Sequence, residues 1–119
     1  EETTVDAVLY KAKVKAGKEA VAREWIDFLT ANKEQGETTL KNEREHLEVY
    51  FMSKEAGISY IYMFVLADNL KYANQVAAKS ENPLDKKHFK YMAKCIDGES
   101  AVQIAPELIL DDLPVFNKK

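Results

Sequence analysis

The sequence predicts an α+β domain with the ferredoxin-like order β-α-β-β-α-β, a four-stranded antiparallel sheet carrying its helices on one face. Three observations lead there. Four segments show period-two alternation or runs of strong β formers, helical spacing fills the first and last gaps between them, and a short glycine-ended loop joins the middle two. The chain has 119 residues, 46% of them hydrophobic, with a net charge of −3. That length suits one domain over residues 1–119 with a core that buries about two-thirds of the unfolded surface, and that composition excludes intrinsic disorder.

The elements follow in order. Val5 to Lys15 alternates Val8, Tyr10, Ala12 and Val14 with Leu9, Lys11 and Lys13, a strand broken by Ala16-Gly17. Lys18 to Gln35 places Val21, Trp25, Phe28, Leu29 and Asn32 on one helical side, and Gly36 marks a stop or kink. Thr38 to Arg44 reads as a short further helical turn anchored by Leu40. His46 to Met52 and Ile58 to Leu66 are strong strands, with Ser53 to Gly57 as a five-residue hairpin loop. Asp68 is the expected N-cap of a helix through Leu70, Ala73 and Val76, and Asn82-Pro83 starts another through Leu84, Phe89, Met92 and Cys95. Asp97-Gly98 ends that helix. Val102 to Leu110 is the last strand, at an edge or bulged because Pro106 lacks a ladder donor. The tail, Pro114 to Lys119, is expected to dock loosely through Val115 and Phe116.

A five-residue loop fixes the hairpin register. Met52 then faces Ile58, Tyr50 faces Tyr60, Glu48 faces Tyr62 and His46 faces Phe64. Leu47, Val49, Phe51, Ile61, Met63 and Val65 form the aliphatic face expected beneath the helices. The tyrosine-rich face is left open, and contiguous apolar surface of that kind needs a cover. A second copy packed sheet to sheet about a two-fold axis supplies it, at roughly 800 Å² per partner.

The run Lys13-Val14-Lys15-Ala16-Gly17-Lys18 leading into a helix with Trp25, together with the paired strands, resembles the dimeric α/β barrel superfamily. That superfamily includes antibiotic-biosynthesis and haem-degrading monooxygenases. More narrowly, Glu24-Trp25-Ile26, Leu40-Lys41-Asn42-Glu43, Glu48-Val49-Tyr50-Phe51 and Tyr60-Ile61-Tyr62 are similar to a small bacterial family of uncharacterised domains. The resemblance covers nearly the whole chain and implies a homodimer with a pocket between helices and sheet. It implies no single chemistry, because the fold hosts many.

Glu48 and Tyr62 are the candidate catalytic pair. A carboxylate desolvated among aromatics rises in pKa and can serve as a general base, with the phenol orienting substrate or donating a proton. The plain alternative is a structural hydrogen bond. Candidate ligand-binding residues are His46, Tyr50, Lys11, Phe64 and Trp25: Lys11 to neutralise Glu48, His46 as a proton shuttle or metal ligand at the cavity mouth, and Trp25, with Phe28, as the helix-side wall. The charge run Glu43-Arg44-Glu45 reads as a solvated turn or as a brace for the pocket. His88 reads as a surface or packing residue, and Cys95 as a small buried hydrophobe. The two histidines share no ligand spacing, so neither a metal nor another cofactor is expected.

The single cysteine forms no internal disulfide. A pI near 5.5 disfavours nucleic acid as a partner. No apolar run reaches the ~20 residues of a membrane span. The first residues lack a signal-peptide pattern, and the expected location is the cytoplasm. Three functions follow: a homodimeric domain binding a small apolar or aromatic ligand, a cofactor-independent monooxygenase- or isomerase-like enzyme using the Glu–Tyr pair, and a purely structural dimer.

Overall fold

The computed structural model describes residues 5–112. Its elements are β1 (Asp6–Val14), α1 (Glu19–Ala31), α2 (Lys33–Glu43), β2 (Glu45–Glu55), β3 (Ile58–Ala67), α3 (Leu70–Ala78), α4 (Pro83–Cys95) and β4 (Ile96–Ile104). The sheet order is β2-β3-β1-β4, with every neighbouring pair antiparallel. This is the ferredoxin-like α+β arrangement, each crossover carrying two helices instead of one. The tail from Pro114 lies outside the described residues. Among those described, no helix is long and apolar enough to cross a membrane.

The core lies between one sheet face and α1 and α4. Ala12, Val14 and Ile61 meet Ala22, Trp25, Tyr91 and Cys95 there, and Cys95 is fully buried as a small hydrophobe. The helix boundaries have local causes. Asn32 breaks α1 from α2, its side chain donating to the Phe28 carbonyl at 2.8 Å. Gly36 does not stop the chain; it sits inside α2 and donates to the Asn32 carbonyl at 3.0 Å. A glycine in a helix interior costs only about 1 kcal/mol relative to alanine, which does not by itself end a helix. Asn69, not Asp68, caps α3 by accepting from the Tyr72 N–H at 2.8 Å. Asn82 caps α4 in the same way, with Pro83 in the first helical position.

The last strand starts earlier than the sequence predicts, because Ile96 is already extended directly after α4. Asp97-Gly98 is therefore not a helix stop but the entry to a bulge, across which the pairing moves from Lys13–Asp97 to Lys11–Val102. Ser100 closes the bulge: its Oγ accepts from the Lys13 N–H at 2.8 Å and donates to the Asp97 carbonyl at 2.7 Å. β4 is an edge strand as expected, and Pro106 lies beyond it.

The hairpin carries the main correction. The turn has two residues, Ala56 and Gly57, both at positive φ (52° and 80°). Two central residues at positive φ match the twist of flanking strands, so Ser53, Lys54 and Glu55 stay in the ladder instead of forming a loop. The usual Asn-Gly or Asp-Gly cue is absent, so the sequence hid the turn. Pairing then runs Glu55–Ile58, Met52–Ile61, Tyr50–Met63 and Glu48–Val65. The parity of β2 against β3 is thereby inverted. Glu48, Tyr50 and Met52 go beneath the helices, while Leu47 and Phe51 point away, 41% and 53% exposed. The expected face of Leu47, Val49 and Phe51 is overturned; that of Ile61, Met63 and Val65 holds.

Alanine in the left-handed region costs about 1 kcal/mol or more relative to residues that adopt it readily. Ala56→Asn is expected to stabilise the protein by about 1 kcal/mol, read as a raised urea midpoint with unchanged slope.

Candidate functional site

A second irregularity in β2 builds the polar part of the site. The register shifts between Glu45–Ala67 and Leu47–Leu66, leaving His46 as an extra residue. Without that bulge Glu45 and Glu48 would point to opposite faces; with it both turn inward. Arg44, in the left-handed conformation at φ 57°, ends α2 and reverses the chain with one residue, so Glu43 at the helix end meets Glu45 at the strand start. One carboxylate oxygen from each of Glu43, Glu45 and Glu48 lies within 4.8 Å of the others.

These three groups line a cavity of about 990 Å³ between the helices and the sheet. Trp25, Tyr50, Ile61, Met63 and Met92 are among its apolar walls, and His88 lies on it from α4. Trp25 is 2% exposed, because the helical spacing of α1 aims it at the core. Its indole N–H donates to His88 Nδ1 at 2.9 Å, and its ring meets Tyr50 edge-on at 5.7 Å and 87°. The Tyr50 hydroxyl donates to Glu48 Oε1 at 2.8 Å.

The electrostatics follow from burial and crowding of like charge. Burial pushes the Glu45 carboxyl far above the usual carboxylate range, and hydrogen bonding to, and the negative charge of, Glu48 add to it. Glu43 is also raised, first by burial, but accepting from Glu45 holds it back. Glu45 is the more strongly raised of the two and stays protonated at neutral pH. Burial, then the charge of Glu48, raises Tyr50, which stays a phenol. Burial lowers His88 against the opposing pull of Glu48 and Asp85, so its ring is neutral. Glu45 Oε1 is buried without a hydrogen-bond partner among the described residues. Such an atom costs about 1–3 kcal/mol unless something else pairs with it. Three clustered oxygens are a donor set suited to a hard cation, although one of them is held as an acid.

The expected site is only partly assembled. Glu48, Tyr50 and Trp25 come together in the cavity. His46 sits on its rim and bonds Asp68 at 2.7 Å. Tyr62, Phe64 and the Lys11 head group lie on the other face of the sheet. The Glu48–Tyr62 pairing is thus overturned by the hairpin register: Tyr50 takes the phenol position beside Glu48, and the Tyr62 hydroxyl donates to Glu55. Lys11 does not neutralise Glu48. Its ammonium lies 3.6 Å from Glu55 and over the rings of Tyr60 and Tyr62 at 4.5 and 5.4 Å. Phe64 packs on Ala7 and Leu66. Of the Glu43-Arg44-Glu45 run, Glu43 does brace the cavity and is only 6% exposed. Arg44 instead stacks its guanidinium over Tyr72 at 4.8 Å. Glu45 and His88 are the residues the sequence did not disclose. The one signal was the Glu45–Glu48 spacing, which in a regular strand separates the two side chains onto opposite faces.

No curated protein matches the chain in sequence. Solved structures resemble it at low identity, and that likeness bears on the fold alone. A NIPSNAP-family protein of unknown function from Agrobacterium tumefaciens superposes with a TM-score of 0.58 at 15% identity, over 89% of this chain and 91% of that one. A dimeric protein of unknown function and ferredoxin-like fold from Bacteroides fragilis gives 0.56 at 14%, over 91% and 100%. A NIPSNAP-like domain protein from Burkholderia xenovorans gives 0.57 at 13%, over 94% and 93%. Residues 5–115 match the model of a family of unknown function, DUF6176, and the chain belongs to that family.

Proposed function

We propose that the protein is a single-domain homodimer that binds a small, largely apolar ligand in the cavity between helices and sheet. The observation that carries the binding reading is the cavity itself. Its aromatic and aliphatic walls end in polar groups, one of which, Glu45 Oε1, is buried without a hydrogen-bond partner among the described residues. Sites of this volume with few convergent polar groups are what small ligands occupy. Support for the dimer comes from the outer sheet face, where Leu47, Phe51, Ile58, Val102 and Ile104 are all exposed. A contiguous patch of that kind marks an interface. The Bacteroides fragilis neighbour, itself described as dimeric, is consistent with this.

Trp25 is the only tryptophan and stands in the cavity wall, so it reports occupancy directly. Titration with uncharged aromatic fragments is expected to give a saturable change in Trp25 emission. If no fragment perturbs it and none raises the melting temperature, the binding reading falls and a purely structural dimer takes its place.

One observation favours an enzymatic second reading, an isomerase- or monooxygenase-like activity. Glu48 accepts from a phenol that stays protonated, beside a neutral histidine, an arrangement suited to proton transfer. On that reading Glu48→Gln abolishes turnover while leaving ligand affinity nearly intact.

A further inference from the structure

We infer that the cavity selects an uncharged ligand carrying a hydrogen-bond acceptor, a carbonyl oxygen being the simplest, which His88 grips through its Nε2–H. The inference rests on the ligand-binding reading above and adds the chemistry of the head group.

The argument begins with Trp25. An indole nitrogen only donates. Its 2.9 Å contact therefore requires a lone pair on His88 Nδ1, and a neutral ring then carries its proton on Nε2. Protonating Nδ1 would set two N–H groups against each other, so Trp25 fixes the tautomer and opposes the imidazolium form. Burial acts in the same direction. The charged groups that act on the ring are Glu48 from β2 and Asp85 from its own helix, and both pull the other way without restoring the usual value. Glu43 and Glu45 stand farther along the same cavity wall.

Nε2 lies across the ring from Nδ1, and it has no hydrogen-bond partner among the described residues. The site thus offers a fixed neutral donor, with an uncompensated acid cluster on the same cavity. Each kind of ligand head group meets this differently. An anion meets the carboxyl groups of Glu43 and Glu48 in a partly desolvated space; Lys33 and Lys41 lie on the same cavity, but no cation is paired to either carboxyl group among the described residues. A cationic head has no lone pair to offer Nε2–H. A neutral acceptor satisfies the histidine, and a hydroxyl or amide beside it can donate to Glu45 Oε1. His88 is then a binding residue and Trp25 its positioning residue.

Four probes of nearly the same shape separate these cases: acetophenone, α-methylstyrene, benzoate and benzamidine, measured by calorimetry at pH 7. Acetophenone is expected to bind and benzoate not to. The acetophenone-to-α-methylstyrene affinity ratio is expected to fall about three- to tenfold in His88→Phe, the loss of one net hydrogen bond. His88→Gln, which keeps an N–H at that reach, retains most of the ratio. If α-methylstyrene binds but the ratio is unchanged in His88→Phe, or benzoate or benzamidine binds as well as acetophenone, the inference is wrong while the ligand-binding reading stands. If no probe binds, the reading fails and the inference with it. Imidazole ¹⁵N spectra give a test that needs no ligand and no variant. They should show His88 neutral at pH 7, with the proton on Nε2, and an Nδ1–H or imidazolium ring at pH 7 overturns the proposal.

Discussion

Phe51→Asp is expected to turn the protein into a monomer at micromolar concentration without unfolding it. Phe51 is 53% exposed and points away from the helices, so the substitution removes little from the core. In a sheet-to-sheet dimer it would lie in the interface of both copies. Two-fold symmetry makes one substitution act twice. A cost of about 2 kcal/mol per copy, ordinary for a buried interfacial aromatic replaced by a charge, becomes about 4 kcal/mol, roughly a thousandfold in Kd. Sedimentation should move from a species near twice 13.5 kDa to one near 13.5 kDa, with the circular dichroism of the fold retained. Unchanged sedimentation of the variant as a dimer would place the interface elsewhere. The node of Lys11, Glu55 and Tyr62 shares this face and is internally paired, so the face can be covered without leaving a lone charge.

The second large effect concerns pH. Glu45 has its folded pKa raised far above the unfolded value of about 4.3. Between those two values the folded state holds a proton that the unfolded state has released. Its contribution to stability is therefore complete below pH ~4 and is lost as pH rises through neutral and beyond. The slope can approach 1.4 kcal/mol per pH unit, the limit for one proton. Glu45→Gln keeps a neutral donor toward Glu43 and Glu48 and removes that titration. Urea unfolding at pH 4, 6 and 8 should find the variant close to the parent at pH 4 and increasingly the more stable of the two toward pH 8. The lowered pKa of Glu55, held down first by the Tyr62 hydrogen bond, acts with the opposite sign but is common to both proteins and drops out of the difference. Parallel pH curves for the two proteins would mean that Glu45 is not the group holding the proton.

The two predictions separate the two faces of the sheet, and the sequence treated those faces unequally. In β3, alternation of Ile61, Met63 and Val65 with Tyr60, Tyr62 and Phe64 was enough to assign both. In β2, Leu47, Val49 and Phe51 are as apolar as Tyr50 and Met52, so hydrophobicity could not choose, and the choice passed to the length of a turn that carries no familiar cue. Trp25 was legible as a cavity residue because it is large, apolar and correctly spaced, whereas Tyr50 was read as a binding residue on the open face and the hairpin register carried it to the other. His88 was not, because its role depends on a contact 63 residues away in sequence.

Local order alone therefore determined the element types, the ferredoxin-like succession and the need to cover a second sheet face. The positions of Asn82 and Pro83, and the β-forming runs on either side of Gly57, are short-range signals that survive packing, whereas the break at Asn32 was not read from the sequence. The tertiary structure decided the pairing register, the bulge at His46 and hence which carboxyl groups meet. These depend on backbone hydrogen bonds between strands, where a shift of one residue sends every following side chain to the opposite face.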